Sequence, residues 1–238
     1  MRLSRASIWV FSLNFAAIAA AITIYYQGGR DPFGERGFIT FLSSAQLLAI
    51  AGLNYQIFRV KKAASQTAKP SAHRLWQLLA LGFVFLAADE FFAIHEVTDL
   101  FIHDVFHLEE TVMTDRIDDV IVGLYGLVGL AMVWTHRREF FVSAPAINFL
   151  KTGFGLMGVM VLIDFMTNDQ LFFYRFFQPT TAEFIDTALY NLEDSLKILA
   201  EASLILAFYS ILIAVNAHTK RLEGVKGTFQ PERESVKR

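Results

Sequence analysis

Ten acidic residues lie between Asp89 and Asp119, and only Arg116 offsets them. His95, His103 and His107 share the stretch. At about 100° per residue, Asp89, Glu96, Asp99, His103 and His107 fall on one face of a single continuous helix, with Glu90 pointing elsewhere. A second stripe runs through Asp186, Tyr190, Glu193, Asp194, Lys197 and Glu201 within about 100° of arc. Carboxylates and imidazoles at i, i+3, i+4 and i+7 on facing helices are how helix bundles hold one or two divalent ions. The expected ligands are Glu96, Asp99, His103 and His95 from the first stripe, Glu193 and Asp194 from the second, and Asp164 from the helix between. Such donors suit Zn, Fe or Mn better than Cu(I). A metal-activated water would support hydrolysis, and iron would support oxidation, of a lipid-like substrate. Glu201, deepest in its stripe, is the candidate general base, and Lys197 beside it completes the candidate catalytic pair.

Other chemistry fits the same residues. Asp, Glu and His chains inside membranes form proton relays. The inner halves of the helices are nearly free of ionisable residues, which counts against a conduit to the cytoplasm, and a proton- or cation-binding transport protein stands as an alternative reading. A packing network of satisfied polar groups is the third reading, in an accessory subunit of a larger membrane complex. The acidic loop at 99–119 would then dock a protein partner. A retinal Schiff base on Lys197 would want a seventh helix. A b-type haem would need facing histidines, and His95, His103 and His107 lie on one helix or its extension. With no cysteine in the chain, thiolate metal sites, disulfides and thiol nucleophiles are excluded. The sequence also lacks His-Glu-x-x-His and Glu-x-x-His.

The elements that carry these stripes follow from composition. The chain has 238 residues, of which 54% are hydrophobic and 18% charged. A soluble domain carries about a quarter charged residues, so this excess of apolar side chains belongs in a bilayer. A bilayer core about 30 Å thick asks for about 20 apolar residues per helix. Six runs qualify, at about 8–26, 38–58, 75–97, 120–135, 146–165 and 185–215. The fold expected is all-α, a polytopic integral membrane protein with six transmembrane helices. The first run follows a basic start and contains Ala16–Ala21, like a signal peptide, but it continues to Tyr26 and reads as an uncleaved helix.

Lys and Arg mark the cytoplasmic side. Of the 21 such residues, 16 fall on the side that would hold both termini. Arg30, Arg36, Arg116 and Arg175 fall on the other, and Lys197 lies within the sixth helix. Both termini are therefore expected in the cytoplasm and the acidic residues at the outer face of the cell (inner) membrane. The basic loop at 59–74 reads as positive-inside charge rather than a nucleic-acid site. Residues 219–238 read as a polar, disordered tail. Gly123, Gly126 and Gly129, with Gly153, Gly155 and Gly158, read as packing positions. The third and sixth helices should be neighbours, because pairing their polar stripes keeps both from lipid.

Overall fold

The computed structural model describes residues 2–28, 31–34, 36–64, 71–109, 111, 114–167 and 172–228. Every regular element among them is helical: α1 (Arg2–Tyr26), α2 (Phe38–Ala64), α3 (Ser71–Phe92), α4 (Ile94–Phe106), α5 (Ile117–Thr135), α6 (Arg137–Phe140), α7 (Ala144–Thr167) and α8 (Pro179–Thr228). Six of them, α1, α2, α3, α5, α7 and α8, are long and apolar enough to cross a membrane. This is the architecture of a multi-pass membrane protein. Successive long helices alternate in direction, which gives the bundle a basic end and an acidic end. Several expectations fall outside the described residues: Glu110 in the acidic loop, Arg30, Lys69, and the tail from 229 onwards.

The 50 residues of α8 make a rod about 75 Å long, far longer than a bilayer core. Pro179 opens it at a position where a missing backbone N–H costs nothing. It starts six residues earlier than the apolar run suggested, and it continues to Thr228 through the first part of the expected tail. Its backbone packs along α7, α2 and α1, while α3 packs along α2. The expected pairing of α3 with α8 is thus made by side chains, with α2 as the shared backbone neighbour. Trp76 and Phe83 of α3 rest edge-on against Phe208 of α8, at ring-centroid distances of 6.4 and 5.6 Å.

The larger of two core clusters lies toward the basic end, and a smaller one of Ala21, Phe33, Ile39 and Ile198 lies at the acidic end. Trp76, Phe140, Ile57 and Ile211 are fully buried in the larger cluster, which is fed by α2, α3, α6, α7 and α8. Lys61 forms an ion pair with Glu139, and its ammonium sits 5.6 Å from the Trp76 ring. By contrast α4 and α5 bury no residue, so they stand at the periphery with many of their apolar side chains exposed.

Two local features shape the acidic end. The loop before α2 turns tightly at Gly37, where a β-carbon would lie 2.5 Å from the Pro32 carbonyl oxygen. Glycine is required there, and the turn tucks Pro32 and Phe33 into the bundle. The second feature corrects the sequence reading. The third span is not one helix to residue 97. It breaks at Ala93, which adopts a left-handed conformation with φ 51° and ψ 49°, and α4 leaves in a new direction.

Candidate functional site: an acid-lined cavity

The helices part at the acidic end around a cavity of about 1080 Å³. Its wall draws on α1, α2, α3, α4, α5, α7 and α8 and on the loop before α2. Eight carboxyl side chains line it: Glu90, Glu96, Asp118, Asp119, Asp164, Asp186, Glu193 and Asp194. Against them stand Lys197, Arg36 and the imidazole of His95. Between the charges lie aromatic faces, among them Tyr25, Phe41, Phe91 and Tyr190.

The floor is an ion-paired triad. Lys197 Nζ lies 2.7 Å from Asp194 Oδ1, one turn earlier on the same helix, and 2.9 Å from Glu90 Oε1 on α3. A buried charge is tolerated only when paired, and Lys197 spends its ammonium on these two partners. One turn deeper, Glu201 is 4% exposed. Ser43 donates a 2.7 Å hydrogen bond to its Oε1. Among the described residues Oε2 finds no hydrogen-bond partner, and Glu90, Lys197 and Asp194 lie within electrostatic reach of this carboxyl.

A second cluster bridges three helices. Asp119 on α5 and Asp164 on α7 lie within interaction range of each other, and Glu193 of α8 lies close enough to interact with both. Three neighbouring carboxyl groups make this the most acidic corner of the wall. A third cluster organises the α3–α4 break. Asp89 Oδ1 accepts a 2.8 Å hydrogen bond from the His95 backbone N–H, and His95 Nδ1 lies 3.0 Å from Asp89 Oδ2. Asp89 therefore caps α4 from the preceding helix, taking up an N–H that Ala93 has no side chain to satisfy. Glu96 Oε1 lies 3.7 Å from the other nitrogen of His95. Left-handed backbone at a non-glycine residue is stored strain, and two cavity residues, Arg36 and Ala93, carry it.

The profile of a family described as a domain of unknown function, DUF8692, matches residues 5–212. The chain belongs to the DUF8692 family. The match takes in all of α1 through α7 except the first three residues of α1, together with most of α8, and thus every cavity residue. Neither the curated proteins nor the solved structures give a match.

The DUF8692 chain sorts its expected site residues into separate clusters. His95, Glu96, Asp164, Glu193, Asp194 and Lys197 all reach the cavity. Glu201 sits beneath the floor. Asp99 and His103 do not line the cavity: they pair with each other on α4, with His103 Nδ1 3.1 Å from Asp99 Oδ1. The break at Ala93 is the cause, because it rotates everything after it relative to α3. Glu90, which precedes the break on α3, also corrects its sequence reading. It faces Lys197 rather than pointing elsewhere. Asp118 and Asp119 also enter the site unexpectedly, because α5 begins three residues before the apolar run at 120. Among the described residues, no three His, Asp or Glu side chains converge as a ready ligand set for a metal ion.

Proposed function

We propose that this protein binds a positively charged ligand in the acid-lined cavity. The observation that carries this reading is charge. Eight carboxyl residues share one wall with two permanent cations, and Lys197 is already engaged by Glu90 and Asp194. Low-dielectric walls focus the field of such a cavity, raise the local concentration of cations and repel anions. In this reading Lys197 is a tethered internal cation that holds the floor together, and Glu201 lies below it, hydrogen-bonded to Ser43. The volume is that of a small-molecule site, larger than a bare ion needs.

The distribution of Lys and Arg supports an orientation with both termini in the cytoplasm and the cavity open to the opposite side of the cell (inner) membrane. Since the chain has no cysteine, single-cysteine variants Asp104→Cys and Lys62→Cys can be labelled in intact cells with a membrane-impermeant maleimide. Labelling of the first alone supports this orientation, and labelling of the second alone reverses it.

The binding test uses the full chain in maltoside detergent. Spermidine should bind saturably and raise the unfolding temperature. The effect should fall at least about tenfold in affinity with Glu193→Gln/Asp164→Asn, a loss of about 1.4 kcal/mol, and stay with Glu109→Gln outside the cavity. Equal binding by all three forms would sink the reading. Parallel titrations with Zn, Fe and Mn separate an inorganic cation, with the metal-dependent hydrolysis or oxidation it could support, from an organic one.

A further inference from the structure

The cavity wall is not polar all the way round. Phe41 of α2 and Phe91 and Phe92 of α3 line it. They form a continuous edge-to-face stack, with ring centroids 5.6 Å apart for Phe41–Phe91 and 4.9 Å for Phe91–Phe92. Each is also about half exposed or more, at 50%, 47% and 67%. A side chain that lines a cavity and is still exposed on a membrane helix forms a boundary between that cavity and lipid. Both helices end here: Phe41 is in the first turn of α2 and Phe92 is the last residue of α3. The boundary therefore lies near the headgroup level, where the acyl region begins.

The next element continues the pattern. On α4, Val97, Leu100, Phe101 and Val105 are all exposed and share one face at i, i+3, i+4 and i+8. Asp99 and His103 pair on another face. An amphipathic helix of this kind lies in the membrane interface with its apolar side in the acyl boundary. It abuts the cavity, because Ala93, His95 and Glu96 at its start are part of the wall.

A carboxylate-rich floor, aromatic faces beside it and an apolar side open to lipid select one kind of molecule. Carboxylates and ring faces both attract an ammonium group. The open phenylalanine boundary lets a hydrocarbon chain stay in the bilayer while the head is held. An anionic amphiphile would meet the wrong field, and a small hydrophilic cation would leave the apolar boundary unused. We infer that the ligand is a long-chain amine or ammonium amphiphile, with its head at Glu193 and Asp164 and its chain leaving over the Phe41–Phe91–Phe92 edge. This inference rests on the cation reading of the same cavity and adds the chain.

The test is equilibrium binding of radiolabelled dodecylamine to the full chain in maltoside micelles. Micelle partitioning is common to all variants, so differences report the site. Wild type should bind saturably. Unlabelled dodecylamine should compete at least about tenfold better than butylamine, and dodecanol and dodecyl sulfate should compete poorly. Phe41→Ala/Phe92→Ala changes two exposed side chains, so folding is preserved. It should weaken dodecylamine more than butylamine and so shrink the long-chain preference. Butylamine competing as well as dodecylamine would overturn the inference and leave the cation reading intact. Dodecanol competing as well as dodecylamine would overturn head recognition. The absence of saturable binding by any amine would overturn both readings.

Discussion

The two ends of the bundle are made from the same helices and solve opposite problems. At the basic end α2, α3, α7 and α8 close on Trp76, Phe140 and Phe208, with ring centroids 5.3 to 6.4 Å apart. The ion pair described there, Lys61–Glu139, sits at the edge of that cluster. At the acidic end the same α3, α7 and α8 diverge, and the gap is walled by α4 and α5, which bury nothing. Stability is concentrated where apolar rings interlock. Charge is concentrated where packing is thin enough to leave a cavity. Substitutions at one end should therefore move stability, and substitutions at the other should move binding.

The largest effect expected is at Trp76, which is fully buried. Trp76→Ala removes the ring that packs on both Phe140 and Phe208 and the surface beneath Lys61. A truncation of this size in a core costs about 3–5 kcal/mol. The unfolding temperature in detergent should fall by many degrees, while spermidine affinity of the protein that remains folded stays as in wild type. A matching loss of affinity would mean that the two ends are coupled and would break the comparison.

A smaller effect separates glycines that looked alike in the sequence. Gly153 faces α8, where a β-carbon would lie 3.0 Å from Leu204 Cδ2 and 3.2 Å from the Ala200 carbonyl oxygen. Leu204 can shift, but the backbone oxygen cannot. Gly153→Ala should destabilise the α7–α8 contact by about 1–3 kcal/mol. Gly155 has open space around the same position, so Gly155→Ala should be neutral or gain up to about 1 kcal/mol from helix propensity. Thermal unfolding of the pair, side by side, measures the difference.

How far the sequence could be read depended on whether a helix stayed straight. The six spans were legible because bilayer thickness dictates the length of each apolar run. The stripe on α8 was legible because α8 is unbroken, so Glu193, Asp194 and Lys197 arrive together at the cavity as spacing implied. The stripe on α3 was misread after Phe92. Asp89-Glu90-Phe91-Phe92-Ala93-Ile94 contains no Gly, Pro or Asn to announce a left-handed residue. The signal that could have found the break is Asp89 itself, a carboxylate six residues before the N–H it caps. Asp118 and Asp119 were missed for a plainer reason. Their charge excluded them from an apolar run, although acids are favoured in the first turn of a helix.

The break at Ala93 also supplies the finest test, because its sign differs between the two geometries. In a left-handed residue a β-carbon costs about 1–2 kcal/mol, and glycine removes that cost. Ala93→Gly should therefore stabilise the protein by about 1 kcal/mol, raising the unfolding temperature by a few degrees. In an unbroken helix from Ser71 to Phe106 the same substitution would destabilise by about 1 kcal/mol. The unbroken helix would restore Asp99 and His103 to the face shared with Asp89, while Glu90, which precedes the break, would keep its place opposite Lys197. A rise in unfolding temperature thus keeps Asp99 and His103 apart from the cavity. A fall would return them to the α3 stripe, and the ligand set with His103 in it would become the one to test.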